Sequence, residues 1–367
     1  MKLVDLKSKG FCIPTALFVA FVVVQLVLFQ TGHRKYYTLT GNLIQWDAEH
    51  YLSIARDGYE KFPCAFDAGY ICGNIGWFPF YPMTTRAVAS IGLGTQTALI
   101  LVSWLSLWLA LLILYRLVAK KFDPRVGLYS LVALLLFPGS FYYLTGFPYS
   151  LYLLLAVSIF YLLESNRLWG VIPLTACLAV TYPSGAVIGL PILSVLVSKW
   201  KKTDSKYRLT LVAGLASIGL ALMLYFAYYW LEFGDFFLYM KFQAQSYYAH
   251  RMDFPLLVMA RTLSTQSLAR PECVTLIFTV SVVSLFYRRR IPISWQIFMF
   301  GILLFTPTMG TTTCYYRHII VAFPMFVMIA DNINARRRRY ALAVYAAAAI
   351  YLNLHIFVST FKDGVLM

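Results

Sequence analysis

The chain contains uninterrupted apolar runs of about 20 residues, the length that spans a roughly 30 Å hydrocarbon core as a helix. Residues 11–29, 98–118 and 209–230 are almost free of charge. A water-soluble fold could not hide them, because 60% of the chain is apolar, 13% is charged and the mean hydropathy is +0.69. Further runs near 126–141, 148–163, 168–182, 184–198, 271–287, 292–308, 318–332 and 340–359 bring the expected spans to eleven. The first run is too long for a signal-peptide core and no small-residue cleavage site follows it, so it is expected to stay as an anchor. The fold class expected is an all-α polytopic membrane protein.

A net charge of +16 would suggest nucleic acid in a soluble protein, but its distribution gives a different reading. Basic residues gather at alternate span ends: Lys2, Lys7 and Lys9; Lys120, Lys121 and Arg125; Arg167; residues 199–208; Arg288–Arg290; Arg336–Arg339. Those segments hold 19 of the 31 Lys and Arg residues and five of the acidic ones, against 11 basic and 10 acidic in the opposite segments. The bias places the N-terminus in the cytoplasm, and an odd span count then places the C-terminus outside. The positive charge is therefore topological and lipid-facing, and no nucleic-acid partner is expected.

Two long segments, 31–93 and 231–270, fall on the non-cytoplasmic side of this layout, whereas every inward connection is short. Chemistry is expected in the first, within a single membrane domain covering 1–367. Ala48, Tyr51, Leu52, Ala55 and Tyr59 recur at i, i+3, i+4, i+7 and i+11, which predicts a short amphipathic helix lying in the interface and stopped at Gly58. Cys64 and Cys72 share this loop, as a disulfide or as two thiols. No Cys/His group has zinc spacing.

Asp47 and Glu49 stand in the first loop close to where the first span leaves the bilayer, and carboxylates there are costly unless they work or pair. Asp47 reads equally well as an N-cap of the amphipathic helix or as a general base; Glu49 reads as a solvated face residue or a supporting carboxylate. Sugar transfer from a lipid phosphate needs one carboxylate to take the acceptor proton and cations to hold the departing phosphate. Arg317 and His318, expected to begin the tenth span, supply the cations, with snorkelling as the alternative for Arg317. Lys241 is a weaker candidate, and outward tyrosines such as Tyr149 and Tyr182 read either as sugar platforms or as an aromatic belt.

The segment Trp46-Asp47-Ala48-Glu49-His50-Tyr51-Leu52-Ser53-Ile54-Ala55-Arg56-Asp57-Gly58-Tyr59, followed by Trp77-Phe78-Pro79-Phe80-Tyr81-Pro82, resembles the first-loop signature of PIG-V-type mannosyltransferases, members of the GT-C glycosyltransferase superfamily. Phe137–Tyr142 with Pro148–Leu151, then Phe233-Gly234-Asp235 with Gln243 and Gln245, and Arg317 with Phe323-Pro324 follow in the family's order. The resemblance implies a GT-C fold and an inverting transfer of a hexose, often mannose, from a polyprenyl-phosphate sugar to a glycolipid or glycan acceptor. It puts Asp47 at the catalytic aspartate's position. Glu49 would support it, Arg317 and His318 would hold the donor phosphate, and Trp46, His50, Tyr81, Tyr149, Tyr182 and Lys241 would contact substrate. Tyr149 stands where the family has glutamate, Tyr182 where it often has arginine and His318 where it has tyrosine. No cofactor or metal is expected, and a prokaryotic inner membrane with a periplasmic site is the expected setting. The rival readings are a transporter or flippase, which calls for mid-span ionisable residues that are nearly absent here, and a non-catalytic assembly partner.

Overall fold

A computed structural model describes residues 3–32, 39–65, 69–165, 167–245, 248, 250–335 and 339–362; Lys2, Arg336, Arg337 and Arg338 lie outside them. α1 (Leu3–Gly32) is followed by α2 (Leu39–Leu43), α3 (Asp47–Arg56), an antiparallel hairpin of β1 (Lys61–Pro63) and β2 (Ile71–Gly73), and α4 (Phe80–Ala89). α5 (Thr95–Lys121), α6 (Pro124–Leu136), α7 (Tyr149–Glu164), α8 (Val171–Ala179), α9 (Gly189–Lys199) and α10 (Ser205–Phe233) come next. The short α11 (Leu238–Gln243) and α12 (Pro255–Thr265) precede α13 (Pro271–Phe286), α14 (Ile293–Thr308), the four-residue α15 (Tyr315–His318), α16 (Phe323–Ala335) and α17 (Arg339–Lys362).

All eleven expected apolar segments are helical, but they divide into two kinds. α1, α5, α10 and α17 are long and apolar enough to cross a membrane. The other seven helices have between 9 and 16 residues. The expected span 126–141 ends early, at Leu136, because Pro138 and the left-handed Gly139 (φ 85°) cannot continue it. The span expected at 318–332 starts late, with Pro324 in the first turn of α16, leaving Arg317 and His318 in a separate helical turn. Breaks of this kind are tolerated where protein, not lipid, surrounds the backbone. Every residue from Phe323 to Ile333 is buried.

α5 is the axis of the bundle, packing against α1, α4, α6 and α7, while α16 lies on α6. Large apolar side chains stay exposed on the outer faces of α1 (Val19, Val23, Val24, Val27), α10 (Leu220, Met223, Leu224, Trp230) and α17 (Val344, Tyr351). Such continuous apolar exposure is a lipid-facing surface, and the protein is an integral membrane protein.

Candidate active site

α3 forms where expected and ends at Gly58, whose φ of 97° suits glycine alone. Its buried side is Ala48, Tyr51, Ile54 and Ala55, with Ile54 in the place expected for Leu52. This helix does not lie loose on a membrane surface. Tyr51 meets Tyr81 edge-on at 5.4 Å, Ala48 sits near Gly146, and Arg86 on α4 donates from Nε and Nη2 to the carbonyls of Ala55 (2.8 Å) and Ile54 (2.9 Å). Those carbonyls belong to the last turn, where intrahelical donors run out, although Ile54 O also accepts from the Gly58 N–H (3.1 Å).

The cap of α3 is Trp46, in a conformation rare for a residue with a side chain (φ 54°, ψ −126°), and it forms no side-chain cap bond. Asp47 is thus the first residue inside the helix, which overturns its reading as N-cap. Its Oδ2 instead accepts from Arg317 Nη2 at 2.6 Å, across 270 residues of chain. Arg317 is 12% exposed and Asp47 33%, so the guanidinium is the buried partner and the carboxylate the more accessible one. The guanidinium lies over the rings of Phe147 (5.1 Å) and Tyr142 (5.8 Å), and its Nε is buried with no partner among the described residues.

α15, which carries Arg317, also begins at a residue of positive φ, Cys314 (56°). The Cys314 N–H donates to the buried Glu272 on α13 (3.4 Å). On the other side Gly139 presses against α15: an added Cβ would stand 2.8 Å from the Tyr316 carbonyl oxygen. The chain segment of Tyr142 and Phe147 is thereby brought under Arg317.

His318 Nδ1 lies 2.6 Å from Tyr182 Oη and 3.4 Å from Tyr149 Oη, and those two hydroxyls are 3.4 Å apart. Burial, reinforced by the neighbouring charges of Arg317 and His250, holds the His318 imidazole well below its usual pKa, so it is neutral at pH 7. Neutral His318 is a hydrogen-bonding group and not the second cation that its sequence position suggested. His50 stacks on Trp77 (3.6 Å, 18° between planes), its pKa lowered by burial against the opposing pull of Asp47.

The remaining candidates separate from this group. Glu49 is exposed, and two residues along α3 it points about 200° away from Asp47. Lys241 forms an exposed ion pair with Asp235 (2.6 Å). Tyr81 Oη lies within hydrogen-bond distance of Leu99 O (3.0 Å), which accepts, and of Ser103 Oγ (2.7 Å), which fastens α4 to α5. Among the described residues no group of three His, Cys, Asp or Glu side chains is placed to hold a metal.

The loop after α3 is held by residues of which Gln243 and Gln245 belong to the family resemblance, while Tyr225 and Tyr229 carry no signal in a single sequence. Tyr59 and Tyr225 donate to the Trp77 carbonyl (2.6 and 3.3 Å), and Tyr229 donates to that of Ile75 (2.7 Å). Gln245 pairs with both backbone groups of Ile71, and Gln243 joins Gly76 O to His250 Nδ1. The second long segment therefore braces the first. Cys64 and Cys72 form a disulfide across the hairpin.

This arrangement of helices is the GT-C fold. It superposes on ArnT from Cupriavidus metallidurans bound to undecaprenyl phosphate with a TM-score of 0.55 and 16% identity, over 95% of this chain and 77% of that one. It also superposes on the apo oligosaccharyltransferase of Archaeoglobus fulgidus with a TM-score of 0.53 and 14% identity, over 95% of this chain but 56% of that one. No protein-family model and no curated protein matches the sequence.

Proposed function

We propose that the protein is a membrane glycosyltransferase, of the inverting, polyprenyl-phosphate-sugar-dependent kind, moving a hexose such as mannose to a glycolipid or glycan acceptor on the non-cytoplasmic face. The observation that carries this reading is the part-buried Asp47–Arg317 pair in a GT-C fold. The likeness to a structure bound to undecaprenyl phosphate supports a lipid-phosphate ligand. The Cys64–Cys72 disulfide supports an oxidising compartment around the first loop, in agreement with the charge bias.

The donor phosphate competes with Asp47 for Arg317. Once the guanidinium turns to the phosphate, Asp47 is released to take the proton of the acceptor hydroxyl. The acceptor oxygen bonds to the sugar C1 from the face opposite the leaving group. The C1–O bond to phosphate breaks, and its electron pair leaves on a phosphate neutralised by Arg317. Neutral His318, with Tyr149 and Tyr182, offers hydrogen bonds to sugar or phosphate oxygens, and the His50–Trp77 stack offers an apolar ring face to a sugar.

The test is transfer from a labelled polyprenyl-phosphate mannose by purified protein in nanodiscs. Asp47→Asn should lower the rate by about a thousandfold in a variant that still folds, with a lowered melting temperature because Arg317 loses its counter-ion. An undiminished rate in a folded variant would remove Asp47 as base. Absence of transfer by the parent from any polyprenyl-phosphate hexose would favour the non-catalytic partner. Activity is expected to survive EDTA, because Glu49 faces away from Asp47 and offers no second ligand.

A further inference from the structure

At the end of α5 away from α3 lies a cavity with a mixed polar and apolar lining. From Leu99, beside α3, to Lys121 is 121 − 99 = 22 residues, or about 33 Å along the helix, roughly the thickness of the hydrocarbon core. The cavity has a volume of about 230 Å³, enough for roughly seven waters. Lys121, Glu164, Lys199, Ser194, Ser198 and Ser294 supply its polar lining, from the ends of α5, α7 and α9 and the start of α14.

Two observations point to an anion. Lys121 is bonded to Glu164 (2.7 Å), which leaves Lys199, whose ammonium is exposed and reaches only the Tyr207 hydroxyl at 3.4 Å, as uncompensated positive charge. The N-terminus of α14 opens on the cavity at Ile293 and Ser294, and its cap, Pro292, provides no side-chain acceptor for the free N–H groups. A further observation points to a lipid source for that anion. Leu190, Leu193 and Val197 form an exposed apolar stripe along α9 beside the serines, and Ile293 is 62% exposed at the cavity rim. A headgroup in the cavity would lay its acyl chains on that stripe.

We propose that this cavity binds the phosphate headgroup of an anionic phospholipid from the leaflet facing the basic helix ends, with Lys199, Lys121 and the start of α14 as phosphate ligands and α9 as the chain support. The site lies a membrane thickness away from Asp47, so it is independent of the catalytic reading.

The experiment is native mass spectrometry and thermal melting of the full-length protein with phosphatidylglycerol or phosphatidylcholine. Phosphatidylglycerol should be retained and raise the melting temperature, and the Lys121→Gln/Lys199→Gln variant should bind it about tenfold more weakly. Lys201→Gln/Lys202→Gln, which removes equal charge from the same face outside the cavity, should bind like the parent. If the double variant fails to fold, Lys199→Gln alone, at an exposed position, should still weaken retention. Equal retention by the cavity variants and the parent would overturn the site. Stabilisation by inorganic phosphate in phosphatidylcholine, matching that of phosphatidylglycerol, would overturn the lipid as its occupant.

Discussion

Trp46 and Cys314 are the two non-glycine residues of positive φ among those described, and each stands at the entrance of the helix that carries half of the ion pair. Such conformations cost on the order of 1–3 kcal/mol and persist only where the surroundings impose them. Here they orient the first turn of α3 and the single turn of α15 so that Asp47 and Arg317 meet. Acid should undo part of this site. His50, His250 and His318 all have pKa values lowered by burial in the folded protein. The unfolded chain, titrating near 6.5, then holds more protons, so stability rises with pH through that region and is lost as pH falls below about 6.5. The melting temperature should drop from pH 7.5 to pH 5.5, and His318→Asn should shrink that drop. An unchanged acid response in the variant would mean that His318 does not contribute.

At the scale of elements, neither α3 nor α15 is long enough to be stable in isolation, so both depend on neighbours. Arg86→Ala removes two charge-assisted hydrogen bonds from the end of α3 and should cost about 1–2 kcal/mol, with a fall in transfer rate larger than that of Arg56→Ala, whose side chain bonds Asp57 and not the helix end. Wild-type melting and turnover in Arg86→Ala would show that α4 does not position the candidate base. Gly139→Ala forces a Cβ against the Tyr316 carbonyl at a φ of 85°, and should destabilise by about 1–3 kcal/mol. A melting temperature equal to the parent's would contradict the close approach of this turn to α15.

The whole molecule is a bundle in which α1, α10 and α17 are mostly exposed along their apolar lengths while α5 runs through the interior. Its orientation is testable with thiol reagents in sealed membranes lacking the Cys12 thiol. A cysteine replacing Ile91, 76% exposed before α5, should react from outside. One replacing Trp169, 80% exposed after α7, should react only after permeabilisation. Labelling of both from one side would refute the inward placement of the basic ends, and with it the non-cytoplasmic placement of Asp47.

The number of apolar segments, their charge asymmetry and the Trp46-Asp47 motif were all legible in the sequence, because each depends on neighbours along the chain. A run either is or is not long enough to cross lipid, and a loop is basic whatever lies beside it. The partner of Asp47 is 270 residues away, and its selection from the available cations required the packed bundle. The same packing turned Glu49 outward, committed Tyr81 to the helix contact, left Lys241 with Asp235 and made His318 a neutral partner of Tyr182. Local sequence set which residues stood near the membrane surface; burial and long-range contact decided which of them share a site.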